Sequence, residues 1–188
     1  MYKFLRNLTA FIFIIISVVV LLFFNRYFMK QIYPLKYENI VKIYSKEYNL
    51  RESLIFAVIK VESNFRKDAV SKAGAIGLMQ IMKETFNWLK QKENIENKDI
   101  VINYKNLFDI RTNIKFGAYF LDYLICKYKD EKVALCAYNA GTGNVDKWLK
   151  DKSYSKDGKS LFRVPFKETE EYIKKVVKTE KMYKKLYF

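Results

Sequence analysis

Arg51-Glu52-Ser53-Leu54-Ile55-Phe56-Ala57-Val58-Ile59-Lys60-Val61-Glu62-Ser63-Asn64-Phe65 is the stretch on which the fold turns. Ile55, Val58 and Ile59 recur at helical spacing and form an apolar stripe. Glu62 lies seven residues after Ile55, four after Val58 and three after Ile59, so the face that enters the core ends in a carboxyl group. A charge on that face is unfavourable unless it is paired or neutralised. Desolvation raises such a carboxyl above its ordinary pKa of about 4.3, toward the range a general acid needs. Two plainer readings stand beside this one. Glu62 is solvated at the helix end, or it pairs with Lys60, Arg66 or Lys72.

Working outward, helical periodicity dominates and strand-like alternation is weak. Ile40, Val41 and Tyr44 predict a short amphipathic helix over 36–48. Asn49 is expected to cap the next helix, about Leu50 to Glu62, with Glu52 as its capping-box partner. Gly74 and Gly77 break the chain, and a helix is expected again from about Leu78 to Lys90. Residues 91–108 are polar and read as a loop with room for one short helical turn. Asp109 caps a long helix carrying Ile110, Ile114, Ala118, Leu121 and Ile125 on one face, and Asp130 caps another that stops at Gly141. Residues 150–159 form a polar connection, and Pro165 suits the start of a last helix over 166–185.

The N-terminus reads differently. Leu8 to Phe24 is uncharged, 17 residues long or 19 with the flanking Asn7 and Asn25, and just spans the roughly 30 Å of a bilayer core. Lys3 and Arg6 precede it, and Tyr27 and Phe28 follow where an interfacial aromatic belt sits. The end of the run, Val20-Leu21-Leu22-Phe23-Phe24, has none of the small residues a signal-peptidase site requires, so an uncleaved anchor is expected. This divides the chain into a membrane anchor, 1–30, and a soluble domain, 31–188, long enough to bury a real core.

Composition excludes several chemistries. With no His there is no Ser-His-Asp triad, no Cys-His dyad and no His-ligated metal, so acid–base work near neutral pH falls to a tuned carboxylate, Lys, Tyr or Cys. Cys126 and Cys136 fit neither a CxxC redox motif nor a zinc cluster, and read as two small core residues rather than as one disulfide. The net charge of +15 is not confined to the anchor: residues 1–30 hold four basic side chains and no acid, leaving +11 on 31–188. Such a surface suits a polyanion or an anionic membrane face, or is simply a solvated lysine coat. No helix-turn-helix, RNA-binding sheet motif or zinc module accompanies it, so nucleic acid is not expected as a partner.

Three blocks carry a family resemblance. They are Glu62-Ser63 with Ser71 and Gly74-Ala75-Ile76-Gly77-Leu78-Met79-Gln80-Ile81-Met82; then Ala137-Tyr138-Asn139-Ala140-Gly141; then Pro165-Phe166-Lys167-Glu168-Thr169-Glu170-Glu171-Tyr172. In this order they resemble the catalytic domain of the soluble lytic transglycosylases, over about residues 37–187. The resemblance implies a mainly α, lysozyme-like helical transglycosylase domain behind an N-terminal transmembrane helix. It implies that Glu62 is the single catalytic acid and base and that Tyr138 hydrogen-bonds and orients it. Ser71 would contact the sugar N-acetyl group, Gln80, Met82 and Asn139 would line the saccharide groove, and Glu168 would help bind the glycan. Lys83 stands where the family often has Pro, which bears on how the following helix starts.

The family's chemistry then implies cleavage of the MurNAc-GlcNAc β-1,4 bond of peptidoglycan to 1,6-anhydro-MurNAc ends, with no metal or organic cofactor. Two alternatives stand beside it: a muramidase of the same fold, and a non-catalytic wall-binding scaffold. A wall enzyme must act outside the cytoplasmic membrane. The expected location is therefore the bacterial inner membrane, held by residues 8–24, with the catalytic domain on the periplasmic side.

Overall fold

The computed structural model describes residues 2–92 and 103–188. They form eight α-helices, and no strand longer than an isolated bridge occurs among the described residues. The helices are α1 (Tyr2–Ile32), α2 (Glu38–Glu47), α3 (Glu52–Ser63), α4 (Lys83–Lys92), α5 (Ile110–Tyr128), α6 (Glu131–Ala140), α7 (Thr142–Lys150) and α8 (Lys167–Tyr187). The expected helical turn in the 91–108 loop is a 3-10 segment, Tyr104–Phe108; positions 93–102 of that loop lie outside the described residues.

α3 is the central element. Leu54, Ile55, Phe56, Ala57, Val58 and Ile59 are all buried, so the helix is enclosed on every side and not only along the expected stripe. The reason is α8, which covers the second face. Tyr183 stacks on Phe56 at 5.4 Å, and the Ser53 hydroxyl donates to Glu180 at 3.1 Å. Glu180 also takes Arg51 at 2.8 Å and Lys184 at 2.9 Å. This buried carboxylate is therefore paired twice over, and its pKa is held down by those cations against the opposing effect of burial. Each large aliphatic or aromatic side chain enclosed here contributes about 1.5–3 kcal/mol, and α3 supplies five of them.

Helix ends follow local chemistry. The Asp109 carboxylate accepts from Thr112 N–H at 2.8 Å and Asp130 from Val133 N–H at 2.9 Å, both as expected. Asn49 does not open α3. It sits at φ 49° and closes α2, with Leu50 N–H donating to Ser45 O (2.8 Å) and Asn49 N–H to Lys46 O (3.4 Å). Arg51 takes the N-cap place of α3 without a side-chain cap bond. Helix α7 was not foreseen, because Gly141 and Gly143 mask a short segment whose buried residues are Val145 and Trp148. Cys136 is buried in the core as expected, whereas Cys126 is exposed and both thiols are free.

The helix expected from Leu78 begins only at Lys83. Residues 66–82 instead fold as a tight loop, because Gly77 (φ 82°) and Gln80 (φ 50°) adopt left-handed backbone that no helix accommodates. The buried Asn113 of α5 clamps this loop. Its side-chain oxygen accepts from Met79 N–H at 2.7 Å, and its amide donates to Ile76 O at 3.1 Å and Leu107 O at 2.8 Å. A Cβ on Gly77 would collide with that amide, and one on Gly117 with the Met79 side chain, so both glycines are required by close approach. Asn113→Ala strips partners from three backbone groups, and a loss of about 3 kcal/mol is expected. Thermal melts of the detergent-solubilised chain should show this as a fall of about 6–12 °C.

Candidate active site

The site is built where α3 stops. Asn64 and Phe65 both take positive φ (51° and 63°), which turns the chain sharply away just past Glu62. A bulky residue is strained there, and burial of the Phe65 ring 6.4 Å from Phe56 holds it in place. Ser63 Oγ donates back to Ile59 O at 3.2 Å and completes the end of the helix. The Glu62 side chain is left half-buried, open on one side but with protein packed around most of its carboxyl. Desolvation pushes its pKa up to about 7, opposed by the Tyr172 hydroxyl, which favours the charged form.

Two tyrosines converge on this carboxyl. Tyr138, near the end of α6, and Tyr172, in the second turn of α8, are each shifted by the charge of Glu62, after burial, to well above the usual phenol range. Both therefore remain protonated across the working pH. Their hydroxyls differ in what they do. Tyr138 Oη donates to the Met79 carbonyl at 2.8 Å, so the hydrogen bond expected from Tyr138 to Glu62 is not made, and the phenol proton goes to the loop backbone instead. Tyr172 Oη is buried and has no hydrogen bond of ordinary geometry, although it is near enough to influence Glu62. Sequence reasoning missed Tyr172. It follows Glu168 by four residues and Thr169 by three, so it shares their helix face, and that spacing was the available signal.

The remaining expected residues have the following places. Ser71 is half-buried in the 66–82 loop, where its Oγ accepts from Ala75 N–H at 3.0 Å. Gln80 spends its amide on loop carbonyls, Ala69 O (3.1 Å) and Gly77 O (2.8 Å), so it shapes the loop as well as standing in it. Met82 is half-buried at the foot of α4. The Asn139 side-chain oxygen accepts from the Thr169 hydroxyl at 2.8 Å, which aims its amide group. Glu168 is exposed in the first turn of α8. Neither Ser71, Met82 nor Glu168 bonds directly to Glu62. The Tyr138 ring packs 5.3 Å from Phe120, and Phe120 lines a neighbouring cavity of about 370 Å³ with Trp88, Tyr123, Lys127, Gly141 and Thr142. Trp88 and Tyr123 meet edge to face at 4.7 Å in its wall.

Comparison with known proteins gives this arrangement a context. The family model of the Transglycosylase SLT domain matches residues 39–162. Over 158 residues the chain is 29% identical to the soluble lytic murein transglycosylase of Escherichia coli K12, across 83% of this chain and 24% of that protein. It is 34% identical over 118 residues to the membrane-bound lytic murein transglycosylase C of Shigella sonnei, across 58% of this chain and 32% of that one. Among solved structures, an inactive mutant of the lytic transglycosylase Slt from Pseudomonas aeruginosa superposes with a TM-score of 0.68 at 30% identity, covering 82% of this chain and 25% of the other. The 70 kDa soluble lytic transglycosylase of E. coli, solved alone and with bulgecin A, superposes at 0.72 and 27% identity, covering 84% and 25%. The chain spans about a quarter of the length of the soluble relatives it matches.

The raised pKa of Glu62 has a consequence for stability. Below pH 4.5 the group is neutral in folded and unfolded chains alike, and it costs nothing. As pH rises from there to about 7 the unfolded chain ionises first, so folding stability falls with pH. Above pH 7 the accumulated penalty is about 3 kcal/mol. Glu62→Gln removes it: the variant should match the parent near pH 4 and exceed it in urea denaturation above pH 7.

Proposed function

The chain belongs to the Transglycosylase SLT domain family, and on that premise we propose that it is a membrane-anchored lytic transglycosylase of peptidoglycan, with Glu62 as its acid and then its base. The observation that carries the reading is a carboxyl at the open end of a buried helix, neutral up to about pH 7 by desolvation and flanked by two protonated phenols. Such a group can donate a proton at neutral pH and accept another one step later. That the inactive mutant of the Pseudomonas relative is a glutamate-to-glutamine substitution supports the same assignment.

In the proposed cycle, neutral Glu62 gives its proton to the glycosidic oxygen between MurNAc and GlcNAc as the C1–O bond breaks. The 2-acetamido oxygen of the substrate stabilises the positive charge that develops at C1. Glu62, now a carboxylate, accepts the hydrogen bond that the unpartnered Tyr172 hydroxyl is free to give. It then removes the proton of the MurNAc C6 hydroxyl, O6 closes on C1, and the acid is regenerated without water being consumed. Tyr138 ties this centre to the loop through Met79 and positions the wall beside the acid. Ser71, Gln80, Met82, Asn139 and Glu168 are the proposed saccharide contacts, and the Trp88–Tyr123 cavity is the proposed continuation of the sugar path beyond Tyr138.

Among the described residues, no other carboxylate contributes to the shift of Glu62, and Asp68 is exposed. Two-carboxylate hydrolysis needs a second such group across the scissile bond. The one-carboxylate lyase is therefore favoured over the muramidase. We further propose the division into anchor (1–30) and catalytic domain (31–188). α1 is long and apolar enough, over Phe11–Ile32, to cross a membrane, and its most apolar stretch is not buried against protein. The expected apolar run 8–24 lies within the same helix. A domain that cleaves peptidoglycan works on the outer side of the inner membrane, which sets the proposed topology.

Digestion of purified sacculi with product mass spectrometry tests the reading. The parent should release 1,6-anhydro-MurNAc ends, and Glu62→Gln should release almost none while keeping its fold. Products one water heavier, with reducing ends, would assign a muramidase instead. Because catalysis needs the neutral acid, kcat/KM should fall as pH rises through about 7. Tyr138→Phe, which removes only the bond to Met79, is expected to cost roughly 10–100-fold in kcat through lost positioning.

A further inference from the structure

The end of α1 is locked onto the end of α8. Arg26 Nη2 donates to Leu186 O at 2.9 Å, and Lys30 Nζ stands 5.0 Å over the Tyr187 ring. Tyr187 Oη donates to Tyr33 O at 2.7 Å, and Tyr183 Oη to Pro34 O at 3.2 Å. Tyr33 meets Tyr183 edge to face at 5.7 Å. The connection from α1 to α2, residues 33–37, holds no Gly or Ser and one Pro, and every one of its side chains except Lys36 is at least half-buried. This is a braced joint and not a flexible tether.

The joint lies at the close of the apolar segment, and its outer surface is basic and aromatic. Tyr27 and Phe28 are exposed on α1, and Phe188 is exposed at the tip of α8. Lys181 and Lys185, seven and three residues before Phe188 on α8, face solvent with no ion pair among the described residues, and Lys36 is exposed in the connection after α1. The acids in this region are Glu38, Glu52, which lines a cavity with Lys184 and Phe188, and Glu180, which is already committed to Arg51 and Lys184. Aromatic rings and unpaired lysines at the end of a membrane-spanning helix are the groups that meet lipid headgroups, the cations gaining most from anionic ones.

We propose that the joined ends of α1 and α8 form one seat for anionic phospholipid headgroups, fixing the catalytic domain at a set height above the bilayer. α8 sets that height. Tyr172, beside Glu62, and Tyr187, at the seat, are fifteen residues apart, so the acid lies no more than about 22 Å from the seat along the helix. The glycan that this site reaches is thereby the layer next to the membrane. The inference rests on α1 being a membrane anchor, and its test reads position rather than activity.

The full chain carrying Cys126→Ser and Lys167→Cys is labelled with a donor dye and placed in nanodiscs bearing headgroup acceptors. The Cys136 thiol is buried and held up at about 12, so it does not compete for the dye. In discs containing phosphatidylglycerol, single-molecule energy transfer should show one narrow, high-transfer population; in phosphatidylcholine alone a second, lower-transfer population should appear, since the braced joint carries the domain and α1 as one body. Each lysine near an anionic surface is worth about a fivefold shift in such an equilibrium, so Lys181→Gln with Lys185→Gln should lower the seated fraction ratio roughly 25-fold. Identical distributions in both lipids, or indifference to the double substitution, would overturn the seat. Failure of the chain to float with vesicles would instead overturn the anchor, and loss of sacculus digestion with an unchanged distribution would bear only on the catalytic reading.

Discussion

The cost of placing a carboxyl group at the end of an enclosed apolar helix is the constraint around which the molecule is organised. α3 has no solvent face over Leu54–Ile59 once α8 covers it, and Glu62 lies just past that enclosed stretch. The chain does not relieve the cost with a cation: the charge-bearing partner nearest in sequence, Lys60, donates to Asn64 and lies over the Tyr33 ring instead. Elsewhere the same fold does neutralise a buried acid, since Glu180 is held by Arg51, Lys184 and Ser53. The contrast separates the two groups by environment. One carboxylate is paired; the other is left without a cation and half-exposed, with its pKa raised by burial.

Much of this was legible in the sequence, for reasons that differ by element. The apolar spacing before Glu62 fixed both the helix and the environment of its last turn, because periodicity and desolvation are local consequences of residue order. Asp109 and Asp130 announced their helices because a cap is a short-range hydrogen bond. Asn49 misled for the same reason: its side chain suits an N-cap, but its tolerance of left-handed backbone was used to end the preceding helix. The 78–82 segment looked helical by composition and is not, since Gln80 is held in a left-handed conformation by bonds to Ala69 and Gly77 that only the folded loop supplies.

The residues that sequence reasoning missed or misassigned share a property: their roles depend on contacts across many positions. Asn113 reads as an unremarkable helix residue until the loop closes over it. Tyr138 was expected to bond Glu62, yet its proton goes to a carbonyl fifty-nine residues away. Tyr172 reaches the acid only because α8 packs along α3. A chain without histidine has few ways to bring a titrating group near neutrality, and at Glu62 the shift comes from packing rather than from a second charge. That is why the helix was readable and the tyrosine pair around it was not.

The Tyr138–Met79 bond has one more implication. The 66–82 loop is pinned at its other side by Asn113, so the phenol, the loop and α5 move as a single rigid clasp. Lifting the loop off α5 would therefore also strain the Tyr138–Met79 bond, so the setting of the phenol beside Glu62 depends on an amide clamp on a different helix.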